Sequence, residues 1–395
     1  MSGEVSPRSP RAVNDPEKFH FPSRYHQIEE IQQISPRSRK FIGNDSKTDM
    51  RICIQQRSML DTKDFANFVR ELELCVKLHH KNISLILNLF LIPTYVDNFY
   101  IVYEHYEHDL SYIVTYRGWI DYKGGFTGAQ RFSFIAYQLF CALRYLHRAN
   151  IVHRDIRAQS VLLNSRCRVK IAYLSKARHT SEESFLNDDP GNDYYLAPEI
   201  WQKCEEIKKK WQQSKHRLEE FKPRLLPDTS WDIWAIGIVL HEVAQGKFMF
   251  TREQLDNARD KTELIKDFTQ VVPSQIELQT GLGTESGKLK RENGVELLRG
   301  LLQPDTSRRL TAETALELPY VKWKPLDGDK TTPPAHCITV GVDKVKISTA
   351  EWRSNLSKMI SDYNKIHDVD TWVPKIPEDV SLSADRQLKR PLANP

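Results

Sequence analysis

Residues 153–160, HRDIRAQS, and the strand pattern that follows at 169–175, VKIAYLS, decide how this chain is read. A charged triplet, His153-Arg154-Asp155, precedes Ser160, and the strand ends in Tyr173-Leu174-Ser175. Ser160 and Tyr173 are the informative positions. Magnesium takes hard, preferably anionic oxygens in near-octahedral geometry, so a hydroxyl and a phenol are poor ligands for it. Asp155, five residues before Ser160, is a candidate base.

Working outward, the 395 residues are 40% hydrophobic and 28% charged, enough to bury one large core or two modest ones in a soluble protein. No apolar run reaches the length of a membrane span, and the opening MSGEVSPRSPRAVNDPEK lacks the apolar segment of a secretory signal. An intracellular protein, cytoplasmic or nuclear or both, with no membrane partner is the expectation. The six cysteines, Cys53, Cys75, Cys141, Cys167, Cys204 and Cys337, form no CxxC pair and mostly sit in apolar runs, which favours reduced core thiols over disulfides or zinc. The net charge of +5 is small for this length and no long Lys/Arg block occurs, so no nucleic-acid partner is expected.

Composition and periodicity divide the chain. Residues 1–22 are rich in Ser, Pro and charge and read as a disordered tail. Ser6-Pro7, Ser9-Pro10 and Ser35-Pro36 are either sites for a proline-directed kinase or plain solvated positions. IEEIQQI, the turn chemistry GNDSKTD and the β-rich MRICIQ predict strand, turn and strand up to Gln56. A helix is predicted from about Lys63 to His79, with Phe65, Phe68, Val69, Leu72, Val76 and Leu78 at mostly helical spacing. NFYIVYEHY predicts a buried strand running into a connector, and FIAYQLFCALRYLH a strongly apolar helix. A small mixed part followed by a helical part is α+β.

Glu71 in the first helix, HRD at 153–155, VKIAYLS, Ala197-Pro198-Glu199, and Asp232 within WDIWAIG occur in an order and spacing that resembles the protein kinases over nearly the whole chain. FVRELELCVKLHHKNISLI, FYIVYEHYEHDLSYIV and RVKIAYLSKARHT are similar to the MAP kinases, the stress-activated group in particular. KISTAEWRSNLSKMISDY resembles the extension by which MAP kinases wrap back onto their small lobe. The resemblance implies a bilobal fold: a β-rich small lobe over 23–105, a large helical lobe over 106–322 with a helical insertion at about 201–225, the extension over 323–378, and a flexible tail over 379–395.

What the resemblance implies about the site is mostly loss. Kinases hold magnesium with an Asn five residues after the catalytic Asp and with the Asp of a DFG triplet, the positions of Ser160 and Tyr173. Gln55 stands where the strand lysine that binds phosphates and pairs with Glu71 would be, and its amide can hydrogen-bond Glu71 but brings no charge. The glycine-rich loop would fall on QQISPRSR, which has no glycine and contains Pro36. Arg37, Arg39 and Lys40 there either attract an anion or form a solvated basic turn. Asp155 keeps the base position beside Arg157, where the family usually has Lys; HRD also organises the large lobe, so Asp155 and Arg154 are either residual machinery or fold. Leu174, with Cys75, Ile86 and His153, fits the apolar stack anchored by Asp232, and Glu199 has a plausible partner in Arg309. Tyr103 narrows the back of the adenine pocket, while Asp109 on the ribose side and Leu162 on its floor remain compatible with adenosine. No cofactor is expected, although metal-free ATP binding is left open.

The partners implied are signalling proteins, whether upstream or active kinases, substrates or scaffolds. SEESFLNDDPGNDYY has no Thr-x-Tyr motif, although Thr180, Ser181, Ser184 and Tyr194 can be phosphorylated. The segment between Glu199 and Asp232 is longer than the family pattern by roughly twenty residues. It places Trp201, Cys204, Ile207 or Lys208, Trp211, Leu218 and Phe221 near one helical face, which either packs on its own lobe or docks a partner helix. Thr251–Asn293 is shorter than the MAP kinase insert. Asp327 and Asp329 lie where MAP kinases bind basic motifs, with Lys330 diluting the field. The reading is a MAP-kinase-like fold with a degenerate active site, a scaffold or allosteric regulator, against an atypical, weakly active Ser/Thr kinase using Asp155 and ATP.

Overall fold

The computed structural model describes residues 21–35, 38–58, 62–91, 98–116, 128–182, 184–185, 194–213, 224–251, 253–254, 294–322, 333, 357–358, 360–363 and 365. They form two compact units. The first draws its described residues from Met1–Val76, Ser84–Tyr106 and Val340–Ile376, the second from Lys77–Ile83, Glu107–Thr339 and Pro377–Pro395.

In the first unit, β1 (Tyr25–Ser35), β2 (Ser38–Asp45), β3 (Met50–Ser58), β4 (Ile86–Leu91) and β5 (Asn98–Glu104) make an antiparallel sheet of order β1-β2-β3-β5-β4. Strand alternation divides β3 between the two faces of this sheet. Ile52 and Ile54 join Tyr25, Phe41, Phe90, Tyr100 and Val102 in one buried cluster, while Cys53, Gln55 and Arg57 take the other face. On that second face lies α1 (Thr62–Lys77), whose Phe68 meets Phe99 with ring centroids 4.6 Å apart. The turn expected over GNDSKTD is shorter than its chemistry suggested, because Gly43, Asn44 and Asp45 still pair with β3. Asp45 closes the turn by binding Arg24 at 2.6 Å through each oxygen and accepting from Lys47 N and Thr48 Oγ1. Burial would raise its pKa, but these donors outweigh burial and hold it below the usual carboxylate range. The QQISPRSR stretch is largely strand, at the β1–β2 hairpin. From the C-terminal segment, Ile360 and Tyr363 are buried in this unit, the Tyr363 hydroxyl donating to Ile86 O at 2.5 Å.

The second unit is mainly helical. It contains α2 (Leu110–Tyr116), α3 (Gly128–Arg148), α4 (Pro198–Gln213), α5 (Ser230–Gln245) and the helix Ala312–Glu317. α5 is buried all round, from Asp232 to Ala244, as its largely apolar sequence favours. Gly237 lets it approach closely: a Cβ there would meet Leu302 at 2.9 Å and Leu301 at 3.0 Å. Arg309 forks onto Glu199 at 2.8 and 3.0 Å and lies 5.1 Å from the centroid of the Trp234 ring, so the pair foreseen for Glu199 ties α4 to α5. No helix among the described residues is long and apolar enough to cross a membrane.

Two neighbouring groups on α5 titrate in opposing directions. Burial pushes the Glu242 carboxyl up from 4.5 to about 7, although Tyr195 donates to it at 2.9 Å and Met249 N at 3.3 Å. Burial, then Lys247, drives His241 down from 6.5 to about 4. A raised carboxyl pKa makes stability fall as pH rises from about 4.5 to 7; a lowered imidazole pKa makes it rise from about 4 to 6.5. The two slopes offset each other where they overlap. Glu242→Gln should therefore leave stability rising with pH across the overlap and His241→Asn should leave it falling, each slope approaching about 1.4 kcal/mol per pH unit. Thermal melting between pH 4.5 and 6.5 checks this, and unchanged slopes in both variants would refute it.

Candidate functional site: the HRD loop and the strand cation

Strand β7 (Ile151–Val152) pairs with β10 (Arg178–His179), and the HRD loop leaves this small ladder directly. Asp232 fixes the loop from α5: its carboxylate accepts His153 N at 2.8 Å and Arg154 N at 3.0 Å, and His147 Nε2 lies 3.0 Å away. Burial would raise the Asp232 pKa, but His147 and His153 outweigh it and hold the carboxyl below its usual range. Arg154 takes a left-handed φ of 66°, a conformation costly for a residue with a Cβ and kept here by these bonds. His153 is fully buried; its Nδ1 accepts Asp155 N at 3.2 Å and its Nε2 faces Ala172 O at 3.0 Å, consistent with the Nε2–H tautomer.

Asp155 is buried, and its Oδ1 lies 3.9 Å from both Arg157 Nε and Lys176 Nζ. Two built-in cations thus flank the carboxylate. The Ser160 hydroxyl is fully buried, donates to Arg157 O at 2.9 Å and accepts Arg157 N at 2.9 Å. A serine hydroxyl has one proton to donate, and this one closes a backbone turn. Tyr173 has φ 69° and ψ 64°, so the VKIAYLS strand ends early, at Ile171 in β9 (Val169–Ile171), and a 3-10 turn runs over Leu174–Lys176. A left-handed residue cannot continue a strand.

The structure brings Asp109 and Leu162 together as register partners of β6 (His108–Asp109) and β8 (Val161–Leu163). Asp109 Oδ1 accepts Ser111 N at 2.9 Å and the Ser111 hydroxyl as well, starting α2. In the first unit, Glu71 is 1% exposed, and its carboxylate receives Arg57 Nη1 at 2.9 Å on Oε2 and the Tyr103 hydroxyl at 3.5 Å on Oε1. The hydrogen bond expected from Gln55 to Glu71 is replaced: Arg57 holds Glu71, and its Nη2 donates to Gln55 Oε1 at 3.3 Å. The missed signal is the two-residue spacing of Gln55 and Arg57, which puts both on one face of β3.

Trp201 is 3% exposed, with its ring centroid 6.4 Å from that of Phe250, so it follows the own-lobe packing alternative and is no exposed anchor. Burying its large apolar surface against a distant aromatic outweighs leaving it for a partner. The Trp211 side chain, Asp327 and Asp329 lie outside the described residues. The insertion leaves α4 and reaches β12 (Arg224–Leu225), which pairs with β11 (Ser184–Phe185).

The model of the protein kinase domain matches residues 44–321. The chain belongs to the protein kinase family. Among the proteins it is similar to, mitogen-activated protein kinase 11 of Arabidopsis thaliana is 27% identical, over 65% of this chain and 67% of its own length. Stress-activated protein kinase JNK of Suberites domuncula is 24% identical, over 75% of this chain and 81% of its own. Extracellular signal-regulated kinase 2 of Dictyostelium discoideum is 29% identical, over 70% and 74% respectively. These are MAP kinase relatives at about a quarter identity, in agreement with the resemblance read from the motifs. This kinase keeps the buried frame of the catalytic loop.

Removing the loop's anchor tests the frame. Asp232→Ala should cost about 3–5 kcal/mol, because it leaves buried N–H groups and an imidazole without their acceptor. Asp232→Asn, which retains one acceptor oxygen, should cost less. Denaturant unfolding reads both; values within about 0.5 kcal/mol of the wild type for each would contradict the anchoring role.

Proposed function

We propose that this chain is a MAP-kinase-like pseudokinase that works in intracellular signalling without transferring phosphate, as a scaffold or allosteric regulator. The observation that supports this reading is the Ser160 hydroxyl, whose proton and one of whose two lone pairs are taken by Arg157 backbone atoms where the family places a metal ligand. Phosphoryl transfer depends almost wholly on positioning and charge neutralisation, and each missing preorganised donor costs about 10²–10³ in rate. Loss at Gln55, Ser160 and Tyr173 together removes most of that stabilisation. Its partners are other signalling proteins, such as upstream or active kinases, their substrates or scaffolds, and its place is the cytoplasm, the nucleus or both. No cofactor is needed for such a role.

The intact loop around Asp155 favours the second reading, a weakly active Ser/Thr kinase with Asp155 as base and ATP as donor. The test is transfer of labelled γ-phosphate by the purified chain to itself and to a generic protein substrate, beside Asp155→Asn. Equal, background-level incorporation by both proteins is the expected result. Transfer by the wild type that Asp155→Asn abolishes would overturn the proposal.

A further inference from the structure

Glu242, on α5, is buried with 1% of its surface exposed. Asp45 and Glu71 are buried as well, and each holds an arginine, Arg24 Nε at 2.6 Å and Arg57 Nη1 at 2.9 Å. Glu242 has neutral donors instead: Oε2 accepts the Tyr195 hydroxyl at 2.9 Å and Oε1 accepts Met249 N at 3.3 Å. Among the described residues no charged side chain acts on it. Lys247, in the same loop as Met249, acts on His241, which is one residue back and about 100° round the helix. A carboxyl taken out of water without a cation favours its neutral form, and burial accordingly pushes Glu242 up to about 7.

Three segments meet at this acid. Gly246 takes a left-handed φ of 62° at the end of α5, and the chain turns so that Met249 N points back at Glu242. Tyr195, 7% exposed in the segment before α4, donates its hydroxyl proton to Glu242 and accepts Ala158 N from the catalytic loop. Burial, then the Glu242 charge, pushes the phenol up, so Tyr195 stays a donor. With Leu196 and Ala197 it forms one wall of a small cavity whose other walls include Arg154, Asp155 and Trp231. Moving this wall away puts water on Glu242 and returns the carboxyl to its ordinary range, so the closed form binds the proton more tightly than the open one. His241 is not uncovered with it, since adjacent residues on a helix face different ways.

We propose that Tyr195 and Glu242 form a proton-linked latch, which holds residues 194–197 closed over the cavity beside Asp155 while Glu242 is protonated and releases them as it ionises. The closed-state carboxyl sits above its open-state value, so the latch is fully set below about pH 4.5 and is lost as pH rises to about 7. Across that window the open fraction grows by up to about tenfold per pH unit. The latch governs how much of the surface beside Asp155 is offered to a partner. It goes beyond the functional reading and is separable from it: phosphate transfer by the wild type would refute that reading and leave this one.

The test is amide hydrogen exchange of the full-length chain from pH 5 to 8, each rate corrected for the intrinsic pH dependence of exchange. In the wild type the amides of residues 194–197 and of Met249 should lose protection by up to about tenfold per pH unit as far as pH 7 and level off above it. Amides in the middle of α3, which report global opening, should change much less, because the Glu242 and His241 contributions to global stability oppose each other. Glu242→Gln, neutral at every pH, should flatten the dependence. Tyr195→Phe keeps the acid and removes its tether, and should lower protection of the same amides by about tenfold at every pH. Protection independent of pH in the wild type, an equal loss in α3, a slope that survives Glu242→Gln, or unchanged protection in Tyr195→Phe would each overturn the proposal.

Discussion

The Asp232 carboxylate, buried at the start of α5, takes the backbone N–H groups of His153 and Arg154 and faces the His147 imidazole, and the geometry of the catalytic loop rests on it. A charge buried that deeply is tolerated only when several donors satisfy it. Once it is satisfied, it forces Arg154 into a left-handed conformation, sets His153 beneath the loop and turns Asp155 into place. Arg309 plays the matching part for α4, forking onto Glu199 while its guanidinium lies near the Trp234 ring. None of these contacts needs a nucleotide or a metal. The frame of the loop is therefore separable from its chemistry.

That separation explains how a kinase loop can keep its shape while the groups around it change role. Ser160 has become a turn-closing hydroxyl, and Asp155 sits between Arg157 and Lys176. In the other unit, Glu71 retains a cation although the lysine position is neutral, because Arg57 reaches it from the same strand face. Each of these contacts is made within the chain.

Much of this was legible in the sequence. The motif order gave the two-part α+β architecture; α1 begins one residue before its predicted start and ends two before its predicted end, since its apolar spacing is strongly helical. Glu199 and Arg309 could be paired from charge and family order alone. What was not legible depended on conformation. The VKIAYLS run has the composition of a strand to its end, yet Tyr173 adopts positive φ and stops it. Whether Trp201 packs on its own lobe or docks a partner could not be decided from the sequence, because Phe250, the aromatic it packs against, is far away in the chain. The role of Arg57 is set by strand periodicity, which places residue 57 on the same face as residue 55, and by its reach to Glu71. Lys176, one residue beyond the altered triplet, gave no sign that it would approach Asp155. For Trp211, Asp327 and Asp329 the described side chains offer no comparison.

The central claim is that the magnesium half of the kinase site has been converted to internal contacts. The most direct measurement is a pair of calorimetric titrations of the purified chain with ATP, one in excess magnesium and one in EDTA. The account predicts the same affinity in both, since no group at Ser160 or Tyr173 is suited to the ion. An affinity raised by magnesium tenfold or more, about 1.4 kcal/mol, would show a working metal site and contradict it.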